Sequence, residues 1–225
     1  MGDLSKRMWG AQARFLALFA AMLFVSAGSL RYWQGWLYWL VFAGCTSWIA
    51  RDLLAHDPGL VERRMKVGVK AEREFNQKII LGVASVACAG LVLAMGLEWR
   101  VTRTPLNWPA VLIGNALVIA GFVSCFYVLR ENHFASSIIE VTHEQTVIAS
   151  GPYARVRHPM YAAAMVIFFG SPLATQSFWA LAFAVVLAAT IVARLLDEER
   201  YLKTHLAGYD AYCAKVRWRL VPHVW

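Results

Sequence analysis

The sequence predicts an all-α fold, a polytopic membrane helix bundle of about five to six spans that ends in a helical hairpin. Three observations predict it. Hydrophobic residues make up 59% of the 225 positions and charged ones only 16%, against roughly 45–50% and about 25% in soluble domains. The apolar residues gather in windows close to the about 20 residues that cross a bilayer. Lys and Arg divide unevenly between the connecting segments. Seventeen fall in 1–11, 51–78, 130–158 and 195–225, and only Arg31, Arg100 and Arg103 fall in the segments of the other side. The positive-inside rule then puts both termini in the cytoplasm. It also accounts for the net charge of +8 without a nucleic-acid partner.

Taken in order, the apolar windows place spans at 12–30, 34–50, 79–97 and 107–129. The first lacks a clear cleavage site and reads as a retained span. Trp33, Trp36, Tyr38 and Trp39, with Trp99 and Trp108, read as an aromatic belt at the outer interface. The polar segment 51–78, "RDLLAHDPGLVERRMKVGVKAEREFNQK", reads as a cytoplasmic loop with a short helix and a solvated, mixed-charge face. Residues 159–194 are too long for one crossing: a single helix would reach about 54 Å at 1.5 Å per residue, against about 30 Å of hydrocarbon. Gly170, Ser171 and Pro172 interrupt them, so a tight hairpin of about 159–170 and 174–194 is expected. Beyond it, Leu195, Leu202, Leu206, Tyr209, Cys213 and Val216 recur at helical spacing. They predict an amphipathic helix on the membrane surface or over a site, with Gly208 as an interruption. The chain thus divides into a transmembrane scaffold, 1–129, and a C-terminal region, 130–225, that carries the hairpin and the amphipathic helix.

Four dispersed cysteines, Cys45, Cys88, Cys125 and Cys213, form no C-x-x-C pair, and the six histidines show no metal-ligand spacing. No metal is expected. The chemistry concentrates in "GPYARVRHPMY", residues 151–161. Gly151-Pro152 signals a turn, and Pro159 suits the first turn of a helix. His158 and Tyr161 then sit at a helix start, whose free N–H groups and partial positive charge, reinforced by Arg155 and Arg157, suit an anionic ligand. Snorkelling arginines explain part of this cluster, but not its histidine and tyrosines.

A second cluster, Arg194, Asp197, Glu198 and Glu199, lies where the hairpin returns to the surface. Arg194 and Glu198 share a helix face, in the poorer order for helix stabilisation. Ionisable groups at a span end are functional candidates. A hairpin brings the two clusters together, giving one site of Tyr153, His158, Tyr161, Arg194 and Glu198.

"GPYARVRHPMYAA", "ARLLDEERYL" and "GYDAYCAKVRWRLVP" together resemble the isoprenylcysteine carboxyl methyltransferase and phospholipid methyltransferase family. The resemblance covers roughly 130–225. It implies an integral membrane enzyme that uses S-adenosyl-L-methionine (SAM) at a cytoplasmic cofactor site, with a lipophilic small molecule or membrane lipid as methyl acceptor. It places cofactor contacts on Gln145, Thr146, Val147, Ile148, Tyr153, His158, Pro159, Met160, Tyr161 and Glu198, and the substrate contact on Arg194, with Arg194 and Glu198 as the catalytic pair. Ala163 stands where the family usually has Gly. The expected location is the inner or plasma membrane of a prokaryote. In this reading His158 and the helix start suit the cofactor carboxylate, Glu198 its amino group or ribose, and the two tyrosines its base or sulfonium. An acceptor carboxylate needs no general base and would be gripped by Arg194; an amine would need Glu198 or Glu199. Two rivals stand beside this reading. A membrane reductase of the sterol or steroid type would use NADPH, but tends to carry an acid soon after its H-P-x-Y, where this chain has Ala162, Ala163 and Ala164. A non-enzymatic scaffold or transport subunit is the other; a transporter would show paired interrupted helices.

Overall fold

A computed structural model describes residues 2–65, 75–103, 107–135 and 146–225. The described residues form helices and their connections, without strands. In chain order these are α1 (Gly2–Ala27), α2 (Trp33–His56), α3 (Pro58–Met65), α4 (Phe75–Thr102), α5 (Trp108–Glu131), a 3₁₀ turn (Gly151–Ala154), α6 (Pro159–Thr175), α7 (Phe178–His205) and α8 (Tyr209–Lys215). Helices α1, α4, α5 and α7 contain stretches long and apolar enough to cross a membrane. Helix α2 is equally long, but its polar and ring-nitrogen groups lower its hydropathy; α6 is apolar and shorter. The expected polytopic helical bundle is the fold observed.

Local sequence sets the helix ends. The Asp57 carboxylate accepts from the Leu60 N–H at 2.8 Å and caps α3, with Pro58 in its first turn. Asn107 and Ser177 cap α5 and α7 in the same manner, accepting from Ala110 and Ala180. Helix α6 starts at Pro159, where a missing N–H costs nothing.

In the bundle α5 packs on α6, α6 on α7, α7 on α4 and α4 on α1, while α2 lies against α5, α1 and α6. Small residues set the closest approaches. A Cβ on Gly114 would fall 2.1 Å from the Ala174 nitrogen, and one on Gly96 would fall 2.4 Å from the Leu23 carbonyl oxygen. Backbone meets backbone at both crossings, as glycine alone allows.

Three connections gather at one end of the bundle. The Tyr32 hydroxyl donates to the Thr175 carbonyl at 2.9 Å. The Asn107 N–H donates to the Gln176 side chain at 3.2 Å, and the Trp33 and Trp108 rings lie 4.4 Å apart. Buried Glu98 accepts from the Ser177 hydroxyl at 2.6 Å and the Trp179 N–H at 2.8 Å, fixing the start of α7. Tyr38 is not part of this surface belt. It is buried and donates to the Ser171 hydroxyl at 2.8 Å.

The hairpin differs from expectation in its turn and its second arm. Helix α6 runs through Gly170, Ser171 and Pro172 to Thr175, and the reversal falls at Gln176, in the left-handed region at φ 56°. Thr175 and Ser171 hydroxyls donate to backbone carbonyls one turn back and hold this last turn together. The second arm does not stop at 194. Helix α7 continues to His205. The apolar stripe over 195–216 is therefore split between the end of α7 and α8, with Gly208 at φ 84° between them.

Candidate active site

The segment 151–161 is held from three sides. Gly151 has φ 53° and lies so close to Glu131 that a Cβ would fall 2.8 Å from its carboxylate. The following 3₁₀ turn presents Tyr153, whose hydroxyl accepts from the Asn132 amide at 2.9 Å. Burial pushes the Tyr153 pKa up to about 12, so the phenol keeps its proton. The Arg157 and His158 N–H groups donate to the Trp218 and Arg219 carbonyls, both at 2.9 Å, strapping the C-terminal segment across the start of α6.

The acidic run of α7 divides its work, because consecutive residues on a helix point about 100° apart. Asp197 accepts from Gln77 of α4, a residue 1% exposed. Glu198 accepts from the Tyr161 hydroxyl. Glu199 turns the other way and is buried, with Arg157 Nε at 2.8 Å, Arg219 Nε at 3.0 Å and His158 Nε2 at 3.2 Å. Arg194 donates from Nε to the Tyr161 hydroxyl at 3.1 Å and from its guanidinium to the Gln77 carbonyl oxygen at 3.3 Å. One phenol thus joins Arg194 to Glu198, as the shared helix face suggested.

These elements enclose a cavity. Thr146, Val147, Ile148, Tyr153, His158, Pro159, Met160, Tyr161, Arg194 and Glu198 all line it. Gln145 lies outside the described residues. The two clusters separated by a hairpin in sequence are therefore neighbours in space. The cavity also contains residues that the sequence reading did not select. Arg64 reaches it from α3, although its segment reads as a solvated face. Asn132 and Phe134 come from the end of α5, and Leu202, Leu206, Tyr209 and Tyr212 from the end of α7 and α8. Arg157 lines it too, with its charge directed at Glu199. His158 also serves Glu199 through its ring, so its contribution to a ligand is limited by that contact.

Residues 109–207 match the family model described as phospholipid methyltransferase. Over that stretch the chain is similar to the phospholipid methyltransferase family. The match supports a membrane methyltransferase in general, and four helices of the chain are long and apolar enough to cross a bilayer. The matched stretch takes in α5, α6, α7 and the cavity residues from Asn132 to Leu206. Arg64, Gln77, Tyr209, Tyr212 and the strap at 218–219 lie outside it. No curated protein matches the chain.

Proposed function

We propose that this protein is a methyltransferase that moves a methyl group from SAM to a lipophilic acceptor at the cytoplasmic membrane interface. The observation that carries the proposal is the junction of Arg194, Tyr161 and Glu198 inside the cavity, at the point where α7 leaves its apolar stretch. The charge asymmetry of the connecting segments supports the cytoplasmic assignment.

The cavity's donors and acceptors fit SAM. The molecule carries cationic and anionic groups and an aromatic base, and the cavity offers a carboxylate, arginines, phenols and an apolar wall. Glu198 would hold the amino group or ribose. Arg64, with the start of α6, would face the carboxylate. Tyr161 would face the sulfonium. When bound, SAM supplies an electrophilic methyl group to an acceptor in line with its carbon–sulfur bond.

The protein's part is alignment and exclusion of water; in well-oriented reactions alignment contributes about 7–11 kcal/mol. Arg194 sits at the membrane-facing side of Glu198, one turn further into the apolar helix. A lipid-borne carboxylate there would be held ionised and oriented by its guanidinium. For an amine acceptor, Glu198 is the group placed to take the proton.

The test is transfer of a radiolabelled methyl group from SAM into a membrane lipid extract by the purified protein, with the product identified by mass. A labelled lipid is expected. Absence of labelled product, together with a melting temperature raised by NADPH and not by S-adenosylhomocysteine, would refute the proposal in favour of a reductase.

A further inference from the structure

At the cation-rich end of the bundle α1 and α2 part company. Deeper in, they are tied. The Gln12 amide donates to the Thr46 hydroxyl at 2.8 Å, and the Trp39 ring N–H donates to the Leu16 carbonyl at 3.1 Å. Between Gln12 and the start of α1 the two helices leave a cleft. Leu4, Ser5 and Trp9 of α1 form one wall, Arg51, Leu54 and Ala55 of α2 the other, and Pro58 of α3 closes the end. Arg51, Leu54 and Ala55 share a helix face through their spacings of three and four. None of these residues lines the cavity around Glu198.

Charge pairing at this end passes Arg51 by. Asp52 meets His56 at 3.2 Å and Arg130 at 3.3 Å. Asp57 meets His133 at 2.6 Å and Arg63 at 4.0 Å, and Asp3 of α1 meets Arg7 at 3.9 Å. Arg51 follows Asp52 around the helix at about 100° and so faces away from it. Among the described residues no carboxylate pairs with Arg51, Glu62 of α3 included. Its side chain is exposed where α2 leaves its apolar length. Lys6, next to Ser5 in sequence, adds positive charge at the same end.

The two halves of this cleft ask for one kind of occupant. A soluble anion would satisfy the guanidinium and leave the walls of Trp9, Leu54 and Ala55 wet. A neutral lipid would cover those walls and leave the arginine without a counter-charge. An acidic phospholipid does both. Its head lies at the depth of Arg51, and its chains run along α1 and α2, which expose Phe15 and Leu40 further into the membrane. Basic pockets between spans on the cytoplasmic side hold acidic headgroups for this reason. A snorkelling arginine on a smooth helix offers the charge without the cleft.

We propose that the cleft between α1 and α2 is a binding site for a phospholipid of net negative charge, its phosphate on Arg51 and Ser5 and an acyl chain against Trp9, Leu54 and Ala55.

The experiment titrates purified protein in detergent with dioleoylphosphatidylglycerol or dioleoylphosphatidylcholine and counts bound lipid by native mass spectrometry. Wild-type protein should bind the anionic lipid more tightly than the zwitterionic one. Arg51→Gln should weaken binding of phosphatidylglycerol by about five- to tenfold, the scale of one cation at an anionic membrane surface. Ala55→Trp, which fills the cleft without changing charge, should weaken it as well. Lys215→Gln, an exposed cation on α8, should bind as wild type does. Arg51 has no partner to lose, so Arg51→Gln should melt with wild type. Equal affinity of wild type and Arg51→Gln for phosphatidylglycerol overturns the site. An equal loss in Lys215→Gln reduces the effect to surface charge and overturns it. Undiminished binding in Ala55→Trp puts the lipid outside the cleft, and displacement of the lipid by inorganic phosphate makes this a soluble-anion site; both overturn it. The readout uses no methyl donor, so its failure is distinct from failure of methyl transfer.

Discussion

Glu198 and Glu199 are adjacent in sequence and differ in environment. Glu199 is enclosed by Arg157, His158 and Arg219 and ties the start of α6 to the C-terminal segment. Glu198 faces the cavity and meets Tyr161. Glu199→Gln leaves the buried Arg157 without its counter-charge, and removing one partner of a buried pair costs about 3–5 kcal/mol. The expected result is a melting temperature lowered by several degrees. Glu198→Gln keeps an acceptor for Tyr161 and removes the charge, so stability should stay near wild type while affinity for S-adenosylhomocysteine falls at least about tenfold, the scale of one charge-assisted hydrogen bond. Thermal unfolding and titration of both variants separate the two roles; equal effects of both would remove the distinction. The acidic run was legible as a cluster, but not its division of labour. That division depends on Arg219 and Gln77, which stand 20 and 122 positions away from Glu199 and have no local pattern. Arg64 was hidden for a related reason. In a polar, mixed-charge segment every side chain resembles a solvated one until the fold shows which enters a cavity.

At the scale of elements, the site is carried by the α5–α6 contact. Helix α6 begins with the cavity-lining residues Pro159, Met160 and Tyr161, and its far end presses on Gly114 of α5 through Ala174. Gly114→Ala places a methyl group 2.1 Å from backbone that cannot move aside, whereas Gly44 of α2 has nothing within 4 Å. Overpacking of this kind costs about 1–3 kcal/mol, while alanine in an open helix position gains up to about 1 kcal/mol over glycine. Gly114→Ala should lower the melting temperature and weaken binding of S-adenosylhomocysteine by displacing the start of α6. Gly44→Ala should leave binding unchanged and stability unchanged or raised. Thermal unfolding with and without ligand checks both; a harmless Gly114→Ala would mean that α6 is not held by this crossing. The hairpin itself was readable from length alone. Its turn was misplaced because Gly-Ser-Pro is a strong breaker signal in water, while in an apolar helix the Ser171 and Thr175 hydroxyls bond to the backbone one turn back and keep the chain helical.

For the whole molecule, composition was enough to read the architecture, because a bilayer permits few ways to satisfy a backbone. The partners of each helix were not readable. Helices α1 and α4, and α4 and α7, pack together although other spans separate them in the chain, and only facing shapes such as Gly96 against Leu23 decide this. Orientation is a further global property, and it rests on charge rather than contacts. The connections that gather around Tyr32, Asn107 and Gln176 carry few cations. The opposite end holds Arg63 donating to the His133 carbonyl and Arg130 paired with Asp52 at 3.3 Å, next to the cavity. A membrane potential and anionic lipids both favour keeping the cation-rich end inside. In a cysteine-free background, single cysteines at Asp3 and His223 should therefore resist an impermeant maleimide in sealed cells and react after lysis, whereas one at Asn107 should react in both. Reaction of Asp3→Cys in sealed cells would invert the molecule. It would place the cavity on the outer face, away from a cytosolic methyl donor, so this labelling pattern tests the proposed cytoplasmic site independently of any assay for methyl transfer.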